Sequence, residues 1–149
     1  MTGEDAVVIE VASVVDDELL AAVQTLLPQL SASAVFDRSL LERVVASEAA
    51  TLFVARLDGA IVGMATLVNY PIPTGTRGHI DDVVVDEGTR GRGVARALLE
   101  AMIARAEEQG IRTLDLTSRP SRVAAIRLYE SVGFVRRDTN TFRFMPAAG

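Results

Sequence analysis

The spacing of apolar positions divides this 149-residue chain into a series of short elements. Residues 7–15 are valine-rich and predict a first strand that ends at Asp16-Asp17. Asp16 is placed to cap a helix with Leu19, Leu20, Val23, Leu26 and Leu27 on its apolar face, and Pro28 weakens or ends that helix. A loop to Asp37 leads to a second helix over about 39–47, with Leu40, Leu41, Val44 and Val45 inward. Residues 51–57 and 60–70 are apolar, partly β-branched runs around Asp58-Gly59, two residues that accept positive φ and so predict a tight hairpin. Pro71, Pro73 and Gly75 mark a loop before the next strand, roughly 77–85. A period of two puts His79, Asp81, Val83 and Val85 on one face of that strand and Ile80, Asp82 and Val84 on the other, except where a bulge intervenes.

The pattern then changes abruptly. The run Val83-Val84-Val85 gives way to the polar turn Asp86-Glu87-Gly88-Thr89, and from Val94 to Ala106 the apolar residues follow helical spacing up to Gly110. Residues 113–117 alternate as a short strand, and strand-helix-strand spacing implies a parallel crossover. Ser121 is placed to cap a last helix through Ser131, with Ala124, Ala125, Leu128 and Val132 toward the sheet and Gly133 at its end. Residues 134–135 and 141–145 read as two closing strands joined by a turn at Asp138-Thr139-Asn140, followed by a loose tail.

Composition narrows the chemistry. With 49% hydrophobic and 23% charged residues the chain has the balance of a folded domain rather than a disordered one, and its length suits a single domain, 1–149. Apolar runs are too short for a membrane span, and the acidic start does not resemble a secretory signal, so a cytoplasmic protein is expected. There is no cysteine and one histidine, His79, which removes thiol nucleophiles and makes a metal site unexpected. A formal charge of -5 disfavours nucleic acid as a partner.

The corner between strand and helix is where a ligand would bind. Gly91 and Gly93 open the backbone, the first helical amides lack intrahelical acceptors, and Arg90 and Arg92 add positive charge, a combination suited to phosphate or diphosphate. A Walker A loop is excluded because the chain has no lysine, and a nucleotide-binding switch falls with it. A dinucleotide fingerprint lacks its third small residue and its downstream acid.

What remains, Arg90-Gly91-Arg92-Gly93-Val94-Ala95 after a Val-x-Val strand, resembles the pyrophosphate motif of the GNAT superfamily of acyl-CoA-dependent N-acetyltransferases. Ala125-Ile126-Arg127-Leu128-Tyr129-Glu130-Ser131-Val132-Gly133-Phe134 is similar to the second signature of that family, at the expected distance and in the expected order. The resemblance implies an α/β fold, with a twisted mixed sheet of about six to seven strands flanked by about four helices. It implies acetyl-CoA as cofactor, its pantetheine arm paired with the backbone of Val83, Val84 and Val85, and its pyrophosphate on the amides of Arg90 to Ala95. Tyr129 would protonate the departing thiolate, a role open to a phenol that is protonated at neutral pH. His79, the side-chain type that ordinarily titrates near neutrality, or Asp81 acting through water, would take the proton of the acceptor. Arg122 stands where many members carry asparagine, and either reaches a CoA phosphate or is solvated. The implied partner is a small-molecule or peptide amine, and the implied assembly a homodimer. The rival reading is a non-catalytic acyl-CoA-binding regulatory module, against which Tyr129 and the candidate base both count.

Overall fold

The computed structural model describes residues 6–148; the acidic start, residues 1–5, and Gly149 lie outside the described residues. These residues form two compact units, the first ending at Thr117 and the second beginning at Ser118.

The first unit contains strands β1 (Val7–Val11), β2 (Ala50–Leu57), β3 (Ala60–Ile72), β4 (Gly75–Val85) and β5 (Thr113–Asp115), with helices α1 (Asp17–Leu30), α2 (Arg38–Ala46) and α3 (Val94–Glu108). The sheet order is β1-β2-β3-β4-β5; the first three pairings are antiparallel and β4-β5 is parallel, as the crossover spacing predicts. Asp58 and Gly59 take φ of 52° and 84° in the β2-β3 turn, the conformation required of a two-residue hairpin. Asp16 caps α1, accepting from the Leu19 N–H at 2.9 Å, and Asp37 caps α2, accepting from the Leu40 N–H at 3.2 Å.

The helices cover both faces of the sheet. Leu19, Val23 and Leu26 of α1 and Leu41 of α2 pack with Leu52, Val54, Met64 and Val84 in one buried cluster. The alternate residues Phe53, Ala55, Ala65, Leu67 and Ile80 take the other face, on which α3 lies with Val94, Leu98, Leu99, Met102 and Ala106 buried. Burial on both faces explains why β2 reads as a continuous apolar run instead of an alternating one. Gly63 of β3 makes this packing close: a Cβ there would lie 3.1 Å from Val94 Cγ1 and 3.3 Å from Leu98 Cδ1, so its absence seats the first turn of α3 against the sheet.

Several boundaries differ from the sequence expectations. The first strand stops at Val11, and α1 continues through Pro28 to Leu30. Proline in a last turn removes one helical hydrogen bond, and the helix closes regardless with the Ser31 N–H on the Leu27 carbonyl at 3.0 Å. Leu40 is exposed, so α2 buries only Leu41 fully. The expected loop around Pro71 shrinks to Pro73-Thr74, because β3 and β4 pair as far as Ile72 and Gly75. Pro71 is tolerated there since β2 pairs no further along β3 than Val68, leaving that end of β3 with a neighbour on one side only.

The second unit contains α4 (Val123–Ser131). It is capped by the backbone at Arg122 rather than by Ser121, and Ala124, expected inward, is exposed. The two closing strands expected at 134–135 and 141–145 are absent among the described residues, which gives five strands in place of six to seven. Alternation in Thr141-Phe142-Arg143-Phe144-Met145 specifies which side chains share a face, but a strand also needs a partner backbone. None is supplied here, and Phe142 and Phe144 are 90% and 85% exposed. The linking residues 136–140 also contain no glycine to close a tight hairpin. No helix among the described residues is long and apolar enough to cross a membrane.

Candidate active site

The site-bearing strand is β4, and a bulge sets its register. Met64 pairs with Val84 and Thr66 with Asp81, so two steps along β3 are matched by three along β4. Asp82 takes up the extra residue at φ 53°. Paired residues share a face, so Val68 opposite His79, Thr66 opposite Asp81 and Met64 opposite Val84 define one surface. His79 and Asp81 therefore lie together as the period of two predicts. Beyond the bulge the expected order inverts, and Val84, not Val83 or Val85, joins them on the face covered by α1 and α2.

His79 Nε2 lies 3.8 Å from Asp81 Oδ2, with the imidazole half-buried and the carboxylate exposed. Asp81 Oδ1 also accepts from the Asp82 N–H at 3.1 Å, which holds the carboxylate over the bulge. Partial burial, and then the neighbouring charge of Asp81, raise the Asp82 carboxyl above the ordinary carboxylate range. The parallel ladder brings a further acid that sequence reasoning missed: Asp115 of β5 is the register partner of His79. Alternation over 113–117 marked the strand, but only the pairing shows which β4 residue Asp115 faces.

That pairing is short. It covers Arg77 to His79 against Thr113 to Asp115, after which β4 continues to Val85 without β5 beside it. Asp86 donates its N–H to the Val62 carbonyl of β3 at 2.8 Å. Because successive amides of a strand point to opposite sides, the Val85 N–H one residue earlier is aimed away from β3, along the open edge.

At the end of β4, Asp86 starts a 3-10 turn over Glu87–Thr89, accepting from the Gly88 N–H with its side chain. Gly91 and Gly93 then take φ of 83° and 81°, and a Cβ added to either meets nothing within 4 Å. Their left-handed backbone is one that other residues rarely adopt, and the space around them is open to a ligand. Helix α3 begins at Gly93 with no side-chain cap, so no side chain competes for its first amides, including those of Val94 and Ala95. Arg90 and Arg92 are exposed beside them. Open approach, main-chain donors and positive charge fit a diphosphate group. Gln29, which the sequence reading places within the loop after Pro28, reaches this turn with hydrogen bonds to Asp86 and Glu87. A separate concavity of about 370 Å³, lined in part by Ser13, Ser47, Thr51, Arg105 and Gln109, lies at the opposite end of α3.

In the second unit, Tyr129 is half-buried on α4 and meets Phe134 edge-on, with ring centroids 6.3 Å apart and planes at 71°. The Phe134 N–H closes the helix by donating to the Tyr129 carbonyl at 3.0 Å, which brings the two rings together. The Tyr129 hydroxyl makes no hydrogen bond within the described residues. Arg122 is exposed at the start of α4, where its carbonyl accepts from the Ile126 N–H at 3.0 Å.

The sequence model of the Acetyltransferase (GNAT) family matches residues 18–134. A [ribosomal protein bS18]-alanine N-acetyltransferase of Escherichia coli (strain K12) is 47% identical over 53 residues, 36% of this chain and 36% of that protein. A mycothiol acetyltransferase of Thermobispora bispora is 36% identical over 90 residues, 58% of this chain and 30% of that protein. The matched stretches thus span about a third of the length of these curated relatives. Among solved structures, a ribosomal-protein-alanine N-acetyltransferase from Brucella melitensis biovar Abortus 2308 superposes with a TM-score of 0.73 at 26% identity, covering 94% of this chain and 99% of that one. The family match extends across the strand that carries His79 and Asp81, the glycine corner and the Tyr129 helix, and the chain belongs to the GNAT family of acetyltransferases, which use acetyl-CoA.

Proposed function

We propose that this protein transfers the acetyl group of acetyl-CoA to a primary amine by direct attack in a ternary complex. The observation that carries the reading is the corner at Gly91 and Gly93, where a left-handed backbone, open space and an uncapped helix start coincide at the end of β4. When bound there, acetyl-CoA supplies an activated acyl group as its thioester. The amides from Arg90 to Ala95 hold the pyrophosphate, and the backbone of Val83, Val84 and Val85 runs beside the pantetheine arm. The Val85 N–H polarises the thioester carbonyl, a task that suits a fixed donor on an open strand edge. Arg122 is assigned to a CoA phosphate.

The acceptor amine must lose a proton to attack. His79 and Asp81 share one face of β4, and either one takes that proton, directly or through water. Asp115 opposite His79 adds negative charge that favours an incoming ammonium. Tyr129, with its hydroxyl uncommitted, donates to the leaving thiolate. No covalent acyl-enzyme is needed, which suits a chain without cysteine.

Relatives named for alanine acetylation on a ribosomal protein make a peptide with an N-terminal alanine the first acceptor to try. The full chain is incubated with acetyl-CoA and a panel of such peptides and small amines, and free CoA thiol and acceptor mass are measured. Turnover on at least one amine is expected. Tight CoA binding without turnover on any of them would select the regulatory module instead. The same reading takes the working form as a cytoplasmic homodimer, which fractionation and sedimentation test.

A further inference from the structure

We propose that Gln29 is a positioning residue for the cofactor loop, holding the turn that launches it from the last turn of α1. The inference rests on the reading of Arg90 to Ala95 as the pyrophosphate site. Gln29 Nε2 donates to Asp86 Oδ1 at 2.9 Å, and Gln29 Oε1 accepts from the Glu87 N–H at 2.9 Å. One planar amide thus engages a carboxylate and the adjacent backbone donor. Its two partners lie 57 and 58 residues along the chain.

The surrounding bonds show what this clamp adds. Asp86 anchors its own N–H on the Val62 carbonyl at 2.8 Å, accepts from the Gly88 N–H on Oδ2 at 3.3 Å, and accepts from the Thr89 N–H on its carbonyl at 3.0 Å. Those contacts fold the turn on itself and onto β3. Gln29 adds a tie from α1, a separate element of the fold. The bond between Gln29 and Asp86 is part-buried, so water competes less for it than at an open surface, while the bond from the Glu87 N–H is exposed.

The residues that follow, Arg90 to Gly93, include two glycines in left-handed conformation, whose backbone has the most freedom to lose when it is ordered. A loop that must be ordered on binding loses affinity in proportion to that ordering, so fixing its first residues in advance strengthens the complex. Gln29 therefore contributes to cofactor affinity without touching the cofactor.

The chemistry of the pair supplies a test that separates this role from a general contribution to folding. In Gln29→Glu the donor to Asp86 is lost and two carboxylates face each other. The double variant, Gln29→Glu with Asp86→Asn, reverses the direction of that bond. The new amide at position 86 donates to the new carboxylate at position 29, its oxygen still accepts from the Gly88 N–H, and the carboxylate still accepts from the Glu87 N–H. CoA is titrated calorimetrically into the full-length wild type, Gln29→Ala, Gln29→Glu and the double variant, with unfolding midpoints measured without CoA and amide exchange followed at Glu87. The expected result is a CoA dissociation constant raised on the order of tenfold in both single variants, with midpoints nearly unchanged. Exchange at Glu87 should quicken by a similar factor while sheet amides stay protected, and the double variant should return to within about threefold of wild-type affinity. Wild-type affinity and exchange in Gln29→Ala, or a double variant no better than Gln29→Glu, would overturn the proposal. Failure of the wild type itself to bind CoA would overturn the underlying cofactor reading, and the proposal with it.

Discussion

Tyr129 and Asp82 show how differently two polar groups can behave. Tyr129 has an apolar flank against Phe134 and a hydroxyl with no internal partner among the described residues, so replacing it with phenylalanine removes the hydroxyl and little packing. Tyr129→Phe is expected to lower turnover by on the order of 10²-fold while CoA affinity stays near wild type, as initial rates and calorimetry would show. Full activity in this variant would place the acid elsewhere. Asp82 is instead the residue that the bulge displaces, and burial followed by the charge of Asp81 raises its pKa. A raised carboxyl pKa means that the fold binds the proton more tightly than the unfolded chain. Its stabilising contribution is therefore present below the ordinary carboxylate range and is lost as pH rises through that range to the raised value. Asp82→Asn keeps a side chain tolerant of φ 53° and removes the titration. It should match wild-type thermal stability at low pH and exceed it at neutral pH, and an unchanged difference between the two pH values would refute the assignment.

At the level of elements, the features legible in the sequence are those decided within a turn or two of chain. Asp16 before an apolar stripe, Asp58-Gly59 between two β-branched runs and Val94, Leu98 and Met102 at helical spacing all specify local geometry, and each is found where expected. Features set by pairing are not legible in this way. No period reveals the bulge that puts Val84 beside Asp81, the partnership of Asp115 with His79, or the reach of Gln29 to Asp86. The missing closing strands fail for the same reason, since alternation carries no information about a ladder partner. Gly63 joins the two kinds of information, because its place in β3 matters only once α3 is laid across it. In Gly63→Ala the new methyl would sit 3.1 Å from Val94 and 3.2 Å from the Val84 carbonyl, so side chain and backbone must both yield. A loss of about 1–2 kcal/mol is expected in denaturant unfolding, the overpacking outweighing the gain from a stiffer unfolded chain. CoA affinity should weaken with it, because the shift falls on the first residue of α3.

For the whole molecule, the decisive quantity is the free energy that ligand binding adds to the native state. The corner at Gly91 and Gly93 exists only when β4, its turn and α3 are assembled, so acetyl-CoA should bind the folded chain and not the unfolded one. Linkage then sets the size of the effect: at a concentration one hundred times its dissociation constant, acetyl-CoA stabilises the fold by about 2.7 kcal/mol. For a chain of this length that corresponds to a rise in Tm of roughly 5–10 °C. ATP also carries phosphates, but it has no pantetheine arm to lie along the open edge of β4 beyond His79, and the turn lacks the lysine that a nucleotide loop would use. The shift should therefore appear with acetyl-CoA and be small with ATP at the same concentration. Equal shifts would mean that the corner recognises phosphate alone and that the strand edge contributes nothing to selectivity. A shift with neither ligand would remove the diphosphate site from the glycine corner altogether.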